Sequence, residues 1–376
     1  MWRKPFFVNM NDKEKREYFK YLLTHRTQIE NDPEFVNATL EDHLKYVPNG
    51  MLYKFRECSA QNFKALENQA IWMAQPSSFN DPFDNTIDLD FESSQEKIET
   101  FLKTKFIDLC FVVLSKKFPT IQLQRINQND IDEYFNTCID ENGNIDKQKE
   151  ETFYSKYVNK SKEKTLHDVL NQITKFRENQ DNIIKQILPN LVDNMKILRN
   201  KLRDDMLTYC MTEYYQNNVF WENYADNYRG FCIEYDFRHF KEVPFEIYKN
   251  LLYLMPITYT SSKPGFDIEK FTEIAARKYM LNDNTAENDI ELNTDLNMQL
   301  YYKRSEYQYE KEWRFSIKNQ ENNLQYFPFT NAIYAGYKIS EVNLKRITEI
   351  AALLKIPVFL QKNNPFTNQF YYDKLD

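Results

Sequence analysis

The chain has 376 residues, 42% of them hydrophobic and 28% charged, which suits a soluble protein of one large or two medium domains. With only 5 glycines and no G-x-G-x-x-G or P-loop pattern, a nucleotide would have to be bound without a Gly-rich phosphate cradle. The net charge of −7 excludes a globally basic nucleic-acid binder and leaves room only for a local basic patch.

In chain order, residues 1–48 read as helical, with Phe19, Leu22, Leu23, Leu40 and Leu44 on apolar stripes. Asn49-Gly50 signals a turn before a strand at 51–55 (MLYKF) that ends at Arg56. A short helix at 62–68 and a second strand at 70–74 (AIWMA) follow. From about 93 to 206 the apolar residues fall at helical spacing, and this segment reads as a long helical insertion. Ile184, Ile187, Leu191, Met195, Leu198 and Leu202 form a heptad-like seam, which Pro189 should kink or restart. The seam serves an internal helical hairpin or, through 160–206, a homodimer or partner-protein interface. Strands are predicted at 207–212, 230–235, 252–259, 309–317 and 332–335, with a final one at 356–361. Helices are predicted at 221–228, 268–280 and 340–354, the last capped by Ser340, and 282–295 reads as a polar linker. Strands with irregular helical crossings give an α+β class: a mixed or antiparallel sheet core from 1–92 and 207–376, flanked by helices, with 93–206 inserted.

Cys58, Cys110, Cys138, Cys210 and Cys232 are odd in number, and neither they nor the four histidines have zinc-ligand spacing. Reduced thiols in a cytoplasmic protein, with no metal centre among them, are the expectation. The first residues lack the apolar stretch of a signal peptide, and no apolar run is long enough for a membrane span.

Three motifs mix aromatic residues with charges: FNDPFD at 79–84, WENYADNYRGFCIEYD at 221–236 and YEKEWR at 309–314. A buried charge must be paired, so such mixtures suit a pocket that stacks a flat ligand between a few polar groups. Glu310 and Glu312 lie two apart on a predicted strand and leave the same face, which Arg314 shares. Adjacent carboxylates raise each other's proton affinity unless a cation sits between them. The alternative for this motif is an ion-pair ladder on an exposed sheet face. Asp81 and Asp84 either present oxygens from a loop anchored by Phe or cap the next element. Trp221, Tyr224 and Tyr228 fall at helical spacing, as a core stripe or a ligand platform. Glu234, inside a strand, needs a partner or a cavity.

Taken together these motifs resemble a bacterial family catalogued as domain of unknown function 2971. The resemblance rests on the LYKFR strand at 52–56, the PSSFNDPFD loop at 76–84, Cys210 to Thr212, the run at 221–235, Pro256 to Tyr259, YEKEWR at 309–314 and Gly336. It covers about 51–336 apart from the insertion. A further likeness, in the order of an Arg, a Ser pair and Glu-x-Glu, is to ADP-ribosyltransferases. That likeness implies a cleft with NAD as substrate. Arg56 would hold the phosphates, Ser77 or Ser78 would steady the nicotinamide-ribose pocket, and Glu312 would polarise the ribose. A carboxylate beside a developing oxocarbenium centre makes physical sense.

The candidate cleft comprises Arg56, Ser77, Ser78, Asn80, Asp81, Asp84, Trp221, Tyr224, Tyr228, Glu234, Glu310, Glu312 and Arg314. The expected function is a bacterial defence or toxin effector that consumes NAD, with a small nucleotide or a macromolecular acceptor as partner. Two other classes remain. Asp81, Asp84, Glu234, Glu310 and Glu312 could gather Mg²⁺ in a nuclease. Alternatively the pocket senses a ligand without turnover and the helical insertion recruits partners.

Overall fold

The computed structural model describes residues 10–79, 81, 84, 91–117, 133–134, 136–140, 145–157, 163–281, 289–318, 322–367 and 369–375. Twelve strands occur among them: β1 Met51–Arg56, β2 Ala70–Trp72, β3 Met206–Thr212, β4 Phe231–Asp236, β5 Leu254–Pro256, β6 Thr258–Thr260, β7 Tyr302–Arg304, β8 Glu312–Lys318, β9 Leu324–Tyr326, β10 Thr330–Ala335, β11 Val358–Asn364 and β12 Gln369–Lys374. Eight form one mixed sheet in the order β12-β11-β10-β4-β1-β3-β8-β5. Every pairing in it is antiparallel except β10 with β11, which are joined by the helix Glu341–Leu354 as a parallel pair requires. The protein is therefore α+β.

The chain divides into two compact units, Met1–Asp88 with Arg199–Pro264 and Asn293–Asp376, and Leu89–Leu198 with Gly265–Leu292. The first holds the sheet. Its N-terminal helices follow from local chemistry. Asn11 and Glu14 form a capping box for Asp12–Thr24, each accepting the other's backbone N–H at 3.0 Å. Asp32 caps Pro33–His43, with Pro33 at the first helical position. Phe19, Leu22, Val36 and Leu40 from these helices join Tyr209, Ile233, Phe315 and Ile333 from one sheet face in the main core. The opposite face carries Tyr53, Phe55, Cys232 and Tyr334, packed with Trp221 and Tyr228.

The sheet has an irregularity in its middle. β1 and β4 pair along six consecutive residues, but β1 and β3 share the single pair Tyr53↔Thr212. Beyond it β3 finds other partners: Thr208 exchanges both backbone hydrogen bonds with Ala74, and the Cys210 carbonyl accepts the Lys54 ammonium at 2.7 Å.

The second unit is helical, built on Phe91–Lys117, Lys147–Tyr157, Glu163–Glu178, Ile268–Leu281 and most of Gln180–Asp204. It takes in more than the expected insertion, because Ile268–Leu281, in which Phe271 and Ile274 are buried, packs along Phe91–Lys117. Ile184, Ile187, Leu191 and Met195 are buried, and their helix runs through Pro189 without restarting. Among the described residues no helix is long and apolar enough to cross a membrane.

Other elements differ from the sequence reading. The strand expected over 252–259 is two short strands in different sheets, because Ile257 N–H donates to Glu312 and Thr258 N–H to Tyr301. The polar linker predicted for 282–295 contains the start of a helix, Ile290–Gln299; residues 282–288 lie outside the described residues. β11 is not the last strand, since β12 pairs along it from Phe359↔Lys374 to Asn364↔Gln369.

Candidate functional site

The YEKEWR motif does not begin as a strand. Residues Ser305–Glu310 form a 3-10 helix, Lys311 turns left-handed at φ 45°, and β8 starts at Glu312. That one left-handed residue, rather than strand alternation, brings the carboxylates of Glu310 and Glu312 to the same point. Both meet the ammonium of Lys303 on β7, at 2.5 and 2.8 Å. Around them Thr212 Oγ1 donates to the Glu310 carbonyl, and Tyr259 Oη accepts the Glu312 N–H.

Arg314 shares the face of Glu312, as predicted, and is fully buried. Its Nε donates to Glu312 at 2.6 Å, its Nη1 to the Leu300 carbonyl at 2.8 Å and its Nη2 to Asp84 at 2.7 Å. Phe79 places its ring 5.8 Å from the guanidinium. The FNDPFD loop is thus tied to YEKEWR through Asp84, while Asp81 pairs with exposed Arg304 at 3.4 Å.

Three buried carboxylates, those of Asp84, Glu310 and Glu312, share two cations, partly buried Lys303 and fully buried Arg314. The local charge balances if one carboxyl keeps a proton, and the energetics choose Glu310. Burial pushes it up to about 7, the Glu312 charge with which it shares a hydrogen bond adds to this, and Lys303 opposes it only in part. Burial would raise Glu312 too, but Arg314 and Lys303 together hold it well below the usual carboxylate range. Lys303 stands above its ordinary value, because Glu312, Glu310 and Asp84 outweigh the effect of burial and of Arg314. One carboxylate is therefore held ionised beside another poised to gain or lose a proton near neutrality, a division of labour suited to acid–base work.

Beside this pair stands Tyr224, 48% exposed, its hydroxyl pushed up to about 12 by burial of its inner edge and by the Glu310 charge. The aromatic stripe expected on one helix breaks into separate parts. The helix ends at Asn223, and Asp226, Asn227 and Tyr228 all have positive φ, of 44°, 53° and 67°. Asp and Asn tolerate that conformation, whereas a tyrosine there is strained and must be held in place. Tyr228 N–H donates to Trp221, its carbonyl accepts from Lys338, and its ring stacks on Trp221 at 6.1 Å. Gly230 and Gly336 close the knot: a Cβ on Gly230 would lie 2.2 Å from the Arg56 carbonyl oxygen, and one on Gly336 2.2 Å from that of Tyr228. Trp221, fully buried with its indole N–H on the Tyr215 carbonyl, and Tyr228 are thereby core residues; Tyr224 alone of the three faces the acidic pair.

Other predicted residues lie elsewhere. Ser77 and Ser78 are exposed in a 3-10 turn, and the Ser78 hydroxyl donates to the Gln75 carbonyl. Glu234 is in register with Glu312 through the row Glu234↔Tyr53↔Thr212↔Glu312, but three strand spacings away, about 14 Å. Its partners are Asn331 at 2.7 Å, Tyr334 at 2.9 Å and Tyr53. Arg56 lies opposite Phe231, hence on the sheet face away from Glu312, with its guanidinium 5.3 Å from the centre of the Tyr209 ring. The cleft expected to unite Arg56 with the glutamates is therefore not formed, because strand register assigns them opposite faces. Asn80 lies outside the described residues.

Lys303 is the residue that sequence reasoning missed. The available signal was the adjacent basic pair Lys303-Arg304 just before the YEKEWR carboxylates, residues of the opposite sign needing partners. Lys54, inside the LYKFR motif, was also passed over. Burial and the nearby Arg56 lower its ammonium to about 8, with Cys210, Glu312 and Glu310 opposing.

No curated protein and no solved structure matches the chain. Residues 220–315, which contain Tyr224, Lys303, Glu310, Glu312 and Arg314, match the model of a family described as protein of unknown function (DUF2971).

Proposed function

We propose that this protein is an effector enzyme that breaks the N-glycosidic bond of a nucleotide of the NAD class, transferring the ADP-ribose to water or to a macromolecular acceptor. The observation that carries this reading is the Glu310–Glu312 pair on Lys303, with its split proton affinities. As the bond from ribose to nicotinamide lengthens, positive charge develops on the sugar, and the ionised Glu312 stabilises it. Nicotinamide leaves with the bonding electron pair and needs no proton. The acceptor hydroxyl attacks the sugar and passes its proton to the ionised form of Glu310, which a carboxyl poised near 7 adopts in part at neutral pH. Tyr224 offers its exposed ring for the flat nicotinamide. Arg56, on the other face of the sheet, takes no part in this reading.

Of the five carboxylates that a Mg²⁺-dependent nuclease would gather, Asp84, Glu310 and Glu312 are turned onto Lys303 and Arg314, Asp81 onto Arg304, and Glu234 onto Asn331 and Tyr334. The test is to incubate the purified protein with NAD, RNA and DNA, with and without EDTA, beside Glu312→Gln. Nicotinamide release that survives EDTA and falls about 100-fold or more in the variant is the expected result. Cleavage of RNA or DNA that EDTA abolishes would replace this reading with the nuclease. Consumption of none of the three would overturn it.

A further inference from the structure

Within the first unit lies a cavity of about 430 Å³, on the side of β8 reached by Tyr259 and the N-terminal helix. Its polar lining includes Asp12, Lys15, Glu213, Tyr259, Gln308 and Lys311. Each acidic group that borders it is already engaged. Asp12 accepts from the hydroxyls of Thr258 and Tyr302, Glu213 from the Trp313 indole at 3.0 Å, and Glu312 from Lys303 and Arg314.

The basic groups are not satisfied in the same way. Lys15 is 1% exposed, and its ammonium, with three donors, meets one acceptor among the described residues, Thr258 Oγ1 at 2.5 Å. A buried ammonium with donors to spare is costly unless something accepts from it. Burial lowers Lys15 to about 8, and Asp12 offsets this only in part. Half-buried Lys311 adds a second cation on the cavity wall, and no carboxylate pairs with it among the described residues. Tyr259 Oη accepts the Glu312 N–H and keeps its own proton to donate. The donors left over around the cavity are thus those of Lys15, Lys311 and the Tyr259 hydroxyl.

We infer that this cavity is a binding site for a small molecule bearing an oxyanion, phosphate or carboxylate, held between Lys15 and Lys311. The volume matches the lower end of small-ligand sites. The inference stands apart from the glycosidic chemistry, since its ligand need not be turned over.

The full chain is titrated by calorimetry, in the absence of NAD, with inorganic phosphate, AMP and succinate, and the titrations are repeated with Lys15→Met and Lys311→Ala. The expected result is saturable binding that each variant weakens about tenfold or more, through loss of a charge-assisted hydrogen bond. Preference for phosphate and AMP over succinate identifies a phosphate site, and the reverse a carboxylate site. Lys311→Ala alters a half-buried side chain, so it remains informative even where Lys15→Met does not fold. No saturable heat with any of the three probes, or binding that folded variants leave unchanged, overturns the inference.

Discussion

Arg314 and Asp84, 230 residues apart in sequence, form a buried ion pair of 2.7 Å with neither side chain more than 4% exposed. Removing one partner of such a pair leaves a charge with less than its due in a low-dielectric site. Asp84→Ala should therefore destabilise the protein by about 3 kcal/mol, while Arg314 keeps Glu312 and the Leu300 carbonyl. Urea unfolding of the variant checks this, and an unchanged midpoint would show the pair to be energetically idle.

Lys303 has the larger role, because two carboxylates depend on it. Lys303→Met should cost about 3–5 kcal/mol, since it uncovers the charge of Glu312 and that of the ionised fraction of Glu310. Adding Glu310→Gln to Lys303→Met removes one of those charges and should recover part of the loss. A double-mutant cycle reads the coupling, expected at about 1 kcal/mol or more.

Glu310 binds its proton more tightly in the folded chain, at about 7 against an ordinary 4.5. Between these values the native state carries more protons than the unfolded one, so stability falls as pH rises through that window. Glu312 works in the opposite sense: held low when folded, it contributes stability above its ordinary value that is lost as the solution is acidified. In Glu310→Gln the decline between about 4.5 and 7 should flatten. Denaturant midpoints measured across pH for the wild type and the variant test this.

Tyr224 and Trp221, three residues apart, should behave as opposites. Trp221→Ala removes a fully buried side chain and should cost about 3–5 kcal/mol. Tyr224→Ala, half exposed, should change stability by only about 0.5 kcal/mol while raising the KM for the nucleotide. A Tyr224 variant with unaltered KM would remove that ring from the substrate site.

Gly230→Ala would place a methyl group 2.2 Å from the Arg56 carbonyl oxygen and 2.9 Å from the Ala225 Cα, both backbone atoms. Neither can swing aside, so a loss of about 1–3 kcal/mol or more is expected in thermal or urea unfolding.

What could be read from the sequence was what local chemistry decides. Ser340 announces its helix, apolar stripes announce those within 1–48, and β1, β3 and β4 follow from runs of β-forming residues between turn signals. The link between the FNDPFD and YEKEWR motifs could be suspected because each carried charges in need of partners. The exact constellation could not. The left-handed turn at Lys311 is a tertiary choice made by a residue with no preference for it, and β7 is too short to show a period. Arg56 and Glu234 were misplaced for one shared reason. Which face of the sheet a residue occupies, and how many strands separate it from another, depend on pairing register, which a single sequence does not contain.

The lone Tyr53↔Thr212 pairing makes the junction of β1 and β3 a line of weakness in the sheet. On either side of it, β1 with β4 and β3 with β8 are zipped along six and seven pairs. Amide protons along this junction should exchange with solvent well before those inside the flanking ladders, so the sheet would breathe as two leaves hinged at its centre. Lys54, whose ammonium bonds the Cys210 carbonyl across the gap, is the clasp between those leaves.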